Sequence, residues 1–194
     1  MDEQALMKLV QNGDQAAFET LMTLYKDRIV NYLYQVSRDY QTAVELAQET
    51  FVRVYFKSNK YRPIAPLSSW IFAIATNLAR SEARRGSRKS AVSLDDIAND
   101  YLAGTYSEDP VDSGLVSNLR QALEELPPRY KVPVVLKDLE GFSQEEIAFM
   151  LKKPVGTVKA RISRGRAQLR KKLEKALGGP EAYSVSEVNQ NGKA

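Results

Sequence analysis

Residues 141–173 read GFSQEEIAFMLKKPVGTVKARISRGRAQLRKKL, and this stretch decides how the second half of the chain folds. Ser143 followed by Glu146 has the spacing of a capping box, in which the hydroxyl and the carboxylate each take up a free backbone donor at a helix start. Ile147, Met150 and Leu151 give a short helix its buried stripe, and Ala148 is small enough for another helix to cross nearby. Lys152-Lys153-Pro154 ends that helix. A second helix follows from about Gly156, with Val158, Ile162, Leu169 and Leu173 inward and Thr157, Lys159, Ala160, Ser163 and Arg164 outward.

A short helix, a tight turn and a longer basic helix form the pattern of a helix-turn-helix. From Lys152 to Lys175 there are ten basic residues and one acid. Those charges attract phosphate, and Thr157, Ala160, Ser163 and Arg164 have the size and chemistry to read base edges in a major groove. A merely solvated basic face does not explain why the basic excess is confined to the second helix.

Outward from this segment the chain stays helical. Upstream, Leu115, Leu119, Ala122, Leu123 and Leu126 recur at helical spacing up to Pro127-Pro128, and the pattern resumes around 134–139, where Pro133 predicts a late start or a bend. Near the N-terminus, Asp14 caps a long helix carrying Phe18, Leu21, Met22, Tyr25, Ile29, Tyr32, Leu33 and Val36. A second helix spans 42–55, with Val44, Ala47, Phe51 and Val54 on one face and Glu45, Gln48, Glu49 and Val52 on the other. A third begins near Ser69, a possible cap, with Trp70, Ile71, Ile74, Ala75 and Leu78 inward and Asn77, Arg80, Ser81 and Arg84 outward. Between residues 86 and 114 the periodicity fades into Ser, Asp, Asn and Gly, the composition of a flexible linker. With no strand-like alternation, the expected fold is all-α: two small helical domains joined by a flexible linker, the second with the helix-turn-helix.

Charge is distributed in blocks. Residues 1–56 sum to −3, 57–89 to +7, 90–117 to −6, 118–177 to +7 and the tail to −1, which gives the net +4. Two basic blocks flanking an acidic one suit a polyanionic partner. Histidine and cysteine are both absent, which removes imidazole bases, thiolate nucleophiles, disulfides and the usual nitrogen and sulfur ligands of zinc. The sequence has no apolar run of membrane-spanning length and MDEQALMKLV is unlike a signal peptide, so a cytoplasmic protein is expected.

With these segments in hand, the chain resembles the bacterial sigma factors of the extracytoplasmic-function group. GDQAAFETLMTLYKDRIVNYLY and AVELAQETFVRVY are similar to regions 2.1 and 2.2, LSSWIFAIATNLARSEARR to regions 2.3 and 2.4, and LEELPPRYKVPVVLKDLEGFSQEEIAFMLKKPVGTVKARISRGRAQLRKKL to region 4. The resemblance implies a region 2 domain over 1–88, an acidic linker over 89–113, a region 4 domain over 114–177 and a disordered tail over 178–194. It also implies binding to core RNA polymerase and to a two-part promoter.

By resemblance, Glu45, Gln48 and Glu49 form the polymerase-docking face, although Thr42 and Val44 stand where the family commonly has acids. The −10 element falls to Tyr61, Arg62, Ser68, Ser69, Asn77, Arg80, Ser81 and Arg84, a set of aromatic, polar and cationic groups suited to capturing single-stranded bases. The −35 element falls to Lys137, Thr157, Lys159, Ala160, Ser163 and Arg164. Such proteins melt DNA by binding energy, so no enzymatic activity, no cofactor, no metal and no small-molecule substrate is implied. An anti-sigma factor, often membrane-bound, is the implied regulatory partner. Two other readings stay open at this point: a one-component helix-turn-helix regulator, and a carboxylate-metal nuclease built on Glu45 and Glu49, for which no third carboxylate is placed.

Overall fold

The computed structural model describes residues 2–89 and 114–177, all of whose regular elements are helical. The expected linker, beyond Lys89, and the expected disordered tail lie outside the described residues. The first unit comprises α1 (Glu3–Gln11), α2 (Gln15–Ser37), α3 (Tyr40–Lys57), a single 3₁₀ turn (Ser58–Lys60) and α4 (Leu67–Lys89). The second comprises α5 (Gly114–Glu124), α6 (Pro128–Val134), a π turn (Val135–Leu139), α7 (Gln144–Leu151) and α8 (Val155–Ala176).

Short polar side chains start three of the first four helices. Asp2, Asp14 and Asp39 each accept a backbone N–H of the first turn, from Gln4 at 3.2 Å, Ala17 at 3.0 Å and Thr42 at 2.6 Å. The contacts with Thr42 hold the Asp39 carboxyl below its ordinary pKa. Behind these caps, Leu21, Tyr25, Ile29, Tyr32 and Leu33 of α2 are fully buried against Ala43 and Val54 of α3 and Ile71, Phe72 and Ala75 of α4. Each such large apolar side chain contributes roughly 1.5–3 kcal/mol on burial. The α1 helix, absent from the sequence expectation, closes one side of this core with Leu6, Met7 and Val10.

Two helix boundaries differ from expectation. Helix α4 begins at Leu67, so Ser69 lies inside it rather than capping it, and it runs on to Lys89, past the point at which its apolar stripe ends. In the second unit, Pro127 and Pro128 separate α5 from α6, with Pro128 in the first turn, where its missing N–H costs nothing. Pro133 sits inside the helical run, and the chain answers with the wider π turn, closed by the Glu140 N–H donating to the Val135 carbonyl at 3.1 Å.

The helix-turn-helix forms as the sequence dictates. Glu146 N–H donates to Ser143 Oγ at 3.1 Å and Ser143 N–H to Glu146 Oε2 at 2.8 Å. Lys152 takes a left-handed backbone (φ 51°) that ends α7, and α8 starts one residue after Pro154. Helices α6 and α8 approach closely at Gly165, where an added Cβ would lie 2.6 Å from Val134 Cγ2.

The units are not isolated from each other. Apolar side chains of both contribute to one buried cluster running from Leu6 to Ile162, in which helices α4 and α7 pack face to face, while Ala122, Leu123, Leu126, Tyr130, Val134 and Leu169 form a separate core within the second unit. Phe72 and Phe142 meet edge to face at 4.9 Å across this junction.

Candidate nucleic-acid and polymerase interfaces

The cations on the outer face of α8 differ in their partners, and of those in its C-terminal half Arg166, Arg170 and Lys172 are engaged by carboxylates. Toward the C-terminus, Arg170 pairs with Glu174 at 2.8 Å and Lys172 with Glu125, while Arg166 Nε donates to Asp138 Oδ2 at 3.0 Å. Toward the N-terminus, Lys159, Ala160, Ser163 and Arg164 are exposed, and no carboxylate of the described residues pairs with Lys159 or Arg164. Thr157 is half-buried at the start of the same face. The N-terminal end, where Lys159 and Arg164 stand exposed, is the end that a recognition helix inserts into a major groove. Lys137 stands apart from that face; it is half-buried and its Nζ donates to the Phe142 carbonyl at 3.1 Å.

A second polar face runs along α4. Asn77, Arg80, Ser81 and Arg84 are all exposed at helical spacing; Ser81 Oγ donates to the Asn77 carbonyl at 2.9 Å and Arg84 donates to Ser81 Oγ at 3.2 Å. Arg62 is exposed in the loop before α4 and donates to the Asn59 carbonyl at 2.8 Å. Ser68 is half-buried. Tyr61 and Ser69 differ from these: Tyr61 is buried against Trp70, with ring centroids 5.4 Å apart, and Ser69 is fully buried and donates to Glu146 Oε1 at 2.8 Å. The structure thus brings four of the eight α4-region candidates onto one solvent face and turns two inward.

The third surface is α3. Glu45 and Gln48 are exposed and Glu49 is half-buried; Glu45 accepts from Gln41 at 2.9 Å and Glu49 from Arg53 at 2.7 Å. Gln48 also forms the rim of an apolar groove of 390 Å³ between α2 and α3, lined by Phe18, Met22, Val44, Phe51, Val52 and Tyr55, among others. This groove was hidden in the sequence because Phe18, Met22, Val44 and Phe51 also fit ordinary core stripes. The exposed Val52, Tyr55 and Phe56 on consecutive turns were the available signal.

Comparison with known proteins assigns both halves. Residues 21–89 match the description "Sigma-70 region 2" and residues 117–169 match "Sigma-70, region 4". The chain is 35% identical over 176 residues to the ECF RNA polymerase sigma factor SigW of Bacillus subtilis, covering 86% of this chain and 94% of that one. It is 38% identical over 172 residues to the ECF RNA polymerase sigma factor SigE of Mycolicibacterium smegmatis, covering 84% of this chain and 65% of the longer relative. The chain belongs to the sigma-70 family.

Within that family it is a sigma factor of the extracytoplasmic-function group, a transcription initiation factor that acts with RNA polymerase at promoters. The region 2 match covers most of α2 and all of α3 and α4; the region 4 match takes in most of α5, all of α6 and α7, and α8 as far as Leu169. A solved structure of the sigma factor RpoE in complex with the anti-sigma factor NepR from Bartonella quintana shares the fold, with a TM-score of 0.68 at 22% identity over 81% of this chain and 96% of that one. A one-component regulator is the weaker reading, because region 2 occupies the place of a sensing domain. No helix among the described residues is long and apolar enough to cross a membrane.

Proposed function

We propose that this sigma factor reads its −35 element with the N-terminal half of α8 and its −10 element with the outer face of α4, and that it docks on core RNA polymerase through α3. The observation that carries the −35 assignment is the exposed group at the N-terminal end of α8, where the open cations Lys159 and Arg164 stand beside Ser163 and Thr157, whereas Arg166, Arg170 and Lys172 further along are engaged by carboxylates. Paired arginines have less to gain from phosphate, whereas Lys159 and Arg164 are free to meet it or a guanine edge. Lys137 remains a −35 candidate that stands apart from this face.

At α4, Asn77, Arg80, Ser81 and Arg84 supply hydrogen-bonding and cationic groups suited to an opened strand, with Arg62 and Ser68 on the preceding loop and helix start. At α3, Glu45, Gln48 and Glu49 supply the polar part of the docking face and the adjoining groove the apolar part. DNA opening here draws on binding energy, so the chain needs no catalytic group, cofactor or metal of its own, and it works in the cytoplasm where polymerase is. The shared fold with RpoE, solved together with NepR, makes an anti-sigma factor the expected regulatory partner; by family resemblance it is often membrane-bound.

The test is co-purification of core polymerase with the wild type and with Glu45→Lys/Glu49→Lys, alongside circular dichroism of the free variant. Both sites are surface positions and lysine is a good helix former, so the variant keeps its fold while losing association. Normal polymerase binding by the folded variant would remove α3 from the docking face.

A further inference from the structure

Helix α1 lies outside the reading and docking surfaces described above, yet its last side chain reaches the loop that leads into α4. We propose that α1 is a brace for −10 recognition: Gln11, together with the buried Tyr61, fixes residues 61–66 in the conformation that presents Arg62 to the opened strand. The brace rests on the −10 reading given above, and in it Gln11 and Tyr61 are positioning residues that act through the loop.

Gln11 closes α1 and is half-buried. Its Nε2 donates to the Ser58 carbonyl at 2.9 Å and to the Tyr61 carbonyl at 3.4 Å. Both neighbours are acceptors, so the carboxamide turns its NH2 group toward them, and its two N–H donors match the two carbonyls. The same stretch is pinned from inside. Tyr61 is buried with its ring against Trp70, and its hydroxyl donates to the Ala65 carbonyl at 3.2 Å, which ties the two ends of the loop together. Pro63 and Pro66 fix two further φ angles. At the tip, the Ile64 N–H donates to the Arg62 carbonyl at 2.8 Å, closing a three-residue turn. Ile64 is 86% exposed and Arg62 is exposed as well, so the anchors lie on the inner side of the loop and its outer side is open.

The brace is itself held along its length. Asp2 caps α1, Glu3 Oε1 accepts the Tyr25 hydroxyl of α2 at 2.6 Å, and Leu6, Met7 and Val10 are buried. Helix α1 therefore cannot shift without disturbing the core of the first unit, and Gln11 passes that fixity to a segment with no helical ladder of its own. Base capture needs such fixity, because a reader that is correctly placed only part of the time binds more weakly in proportion to the missing population. The effect falls on the −10 element alone, since the carbonyls that Gln11 holds belong to the approach to α4 and not to α8.

Two variants separate hydrogen bonding from packing. Gln11→Met keeps length and helix propensity but has no donor, whereas Gln11→Lys keeps a donor and suits a helix C-terminus. The chain's single tryptophan, Trp70, packs on Tyr61 and reports on the loop in the free protein. Gln11→Met should raise acrylamide quenching of Trp70 while circular dichroism stays that of the wild type. In transcription with core RNA polymerase on randomised promoters, it should cut base discrimination at the −10 element by roughly three- to tenfold, the loss of one to two hydrogen bonds, and leave −35 discrimination unchanged. Gln11→Lys should recover most of both signals. If Gln11→Met does not fold, Gln11→Ala removes the same donor with a smaller side chain and is read the same way. Unchanged Trp70 quenching, unchanged −10 discrimination, equal losses at both elements, or a Gln11→Lys chain no better than Gln11→Met each overturns the brace. An Arg80→Ala/Arg84→Ala chain with unaltered −10 discrimination would instead remove α4 as the reader, a result on which the Trp70 signal does not depend.

Discussion

Ser69 Oγ donates to Glu146 Oε1 at 2.8 Å while Glu146 Oε2 accepts the N–H of Ser143 at 2.8 Å, so one carboxylate both starts the helix-turn-helix and fastens it to α4. Those contacts, together with the Ser143 hydroxyl, pull the Glu146 pKa below its ordinary value against the opposing effect of burial. Glu146→Ala removes the carboxylate half of the capping box, leaving the Ser143 hydroxyl on its backbone donor, and strands the Ser69 hydroxyl in the core. Urea denaturation should show a loss of about 2–4 kcal/mol, from a Ser143 N–H and a buried Ser69 hydroxyl that both lose their acceptor. Ser69→Ala, which leaves the cap intact, should cost about 1 kcal/mol. Equal losses would mean that the carboxylate does not serve both helices.

At Gly165 helices α6 and α8 lie close enough that a side chain would intrude. Alanine is favoured over glycine in a helix by about 1 kcal/mol, but its Cβ would meet Val134 Cγ2 at 2.6 Å and the Tyr130 backbone oxygen at 3.4 Å. Overpacking of this kind costs about 1–3 kcal/mol, so Gly165→Ala should lower stability on balance. Adding Val134→Ala should give a double variant less destabilised than the sum of the two changes, as read from paired denaturation curves.

Lys131 gives the protein a pH signature. It is fully buried, its Nζ donates to the Glu124 carbonyl at 3.0 Å, and burial reinforced by the Arg38 charge, against the opposing Glu124 carboxylate, holds its pKa down to about 7. Between there and the ordinary lysine range the unfolded chain binds the proton that the folded chain lacks, so stability rises with pH across that window. Tyr25 and Tyr32, pushed up by burial, oppose this only above the ordinary tyrosine range. Unfolding free energies compared at pH 7 and about pH 9 should rise by up to about 1.4 kcal/mol per pH unit in the wild type and less in Lys131→Met. Identical slopes in the two proteins would contradict the assignment.

On α8, Arg164→Ala should weaken −35 binding by about 1–3 kcal/mol if the guanidinium contacts a base bidentately, and Lys159→Ala should reduce affinity and its salt dependence for all sequences alike. Arg170→Ala, at the paired end of the helix, should change affinity far less. Fluorescence anisotropy over a salt series separates the three. A loss in Arg170→Ala matching that in Arg164→Ala would reverse the proposed orientation of the helix.

The sequence made some of this legible and concealed the rest for physical reasons. The capping box at Ser143, the stop at Lys152–Pro154 and the stripe Val158, Ile162, Leu169 specify their helices locally, so the helix-turn-helix could be read residue by residue. The α2 and α3 stripes were equally plain. Ser69 was misread as a cap because serine before an apolar run satisfies that pattern, whereas its actual partner is 77 residues away. Phe72, Phe142, Arg28 and Arg38 carry no periodic signature of an interface, since an aromatic or a cation on a helix looks the same whether it faces its own core or another unit. Helix α1 offers only Leu6, Met7 and Val10, too short a stripe to stand out. Of the candidate site residues, those on α8 and the outer face of α4 were placed by helical spacing alone, while Tyr61 and Ser69 required the packing to be known.

The most direct test of the account is transcription in vitro with purified core polymerase on a library of randomised promoters. The wild-type chain should select templates enriched at two separated elements. Arg164→Ala should relax preference at the upstream element only, and Arg80→Ala/Arg84→Ala should impair the downstream one. Transcription with no sequence enrichment, or enrichment unchanged in all of these variants, would contradict the assignment of α8 and α4 as the two readers.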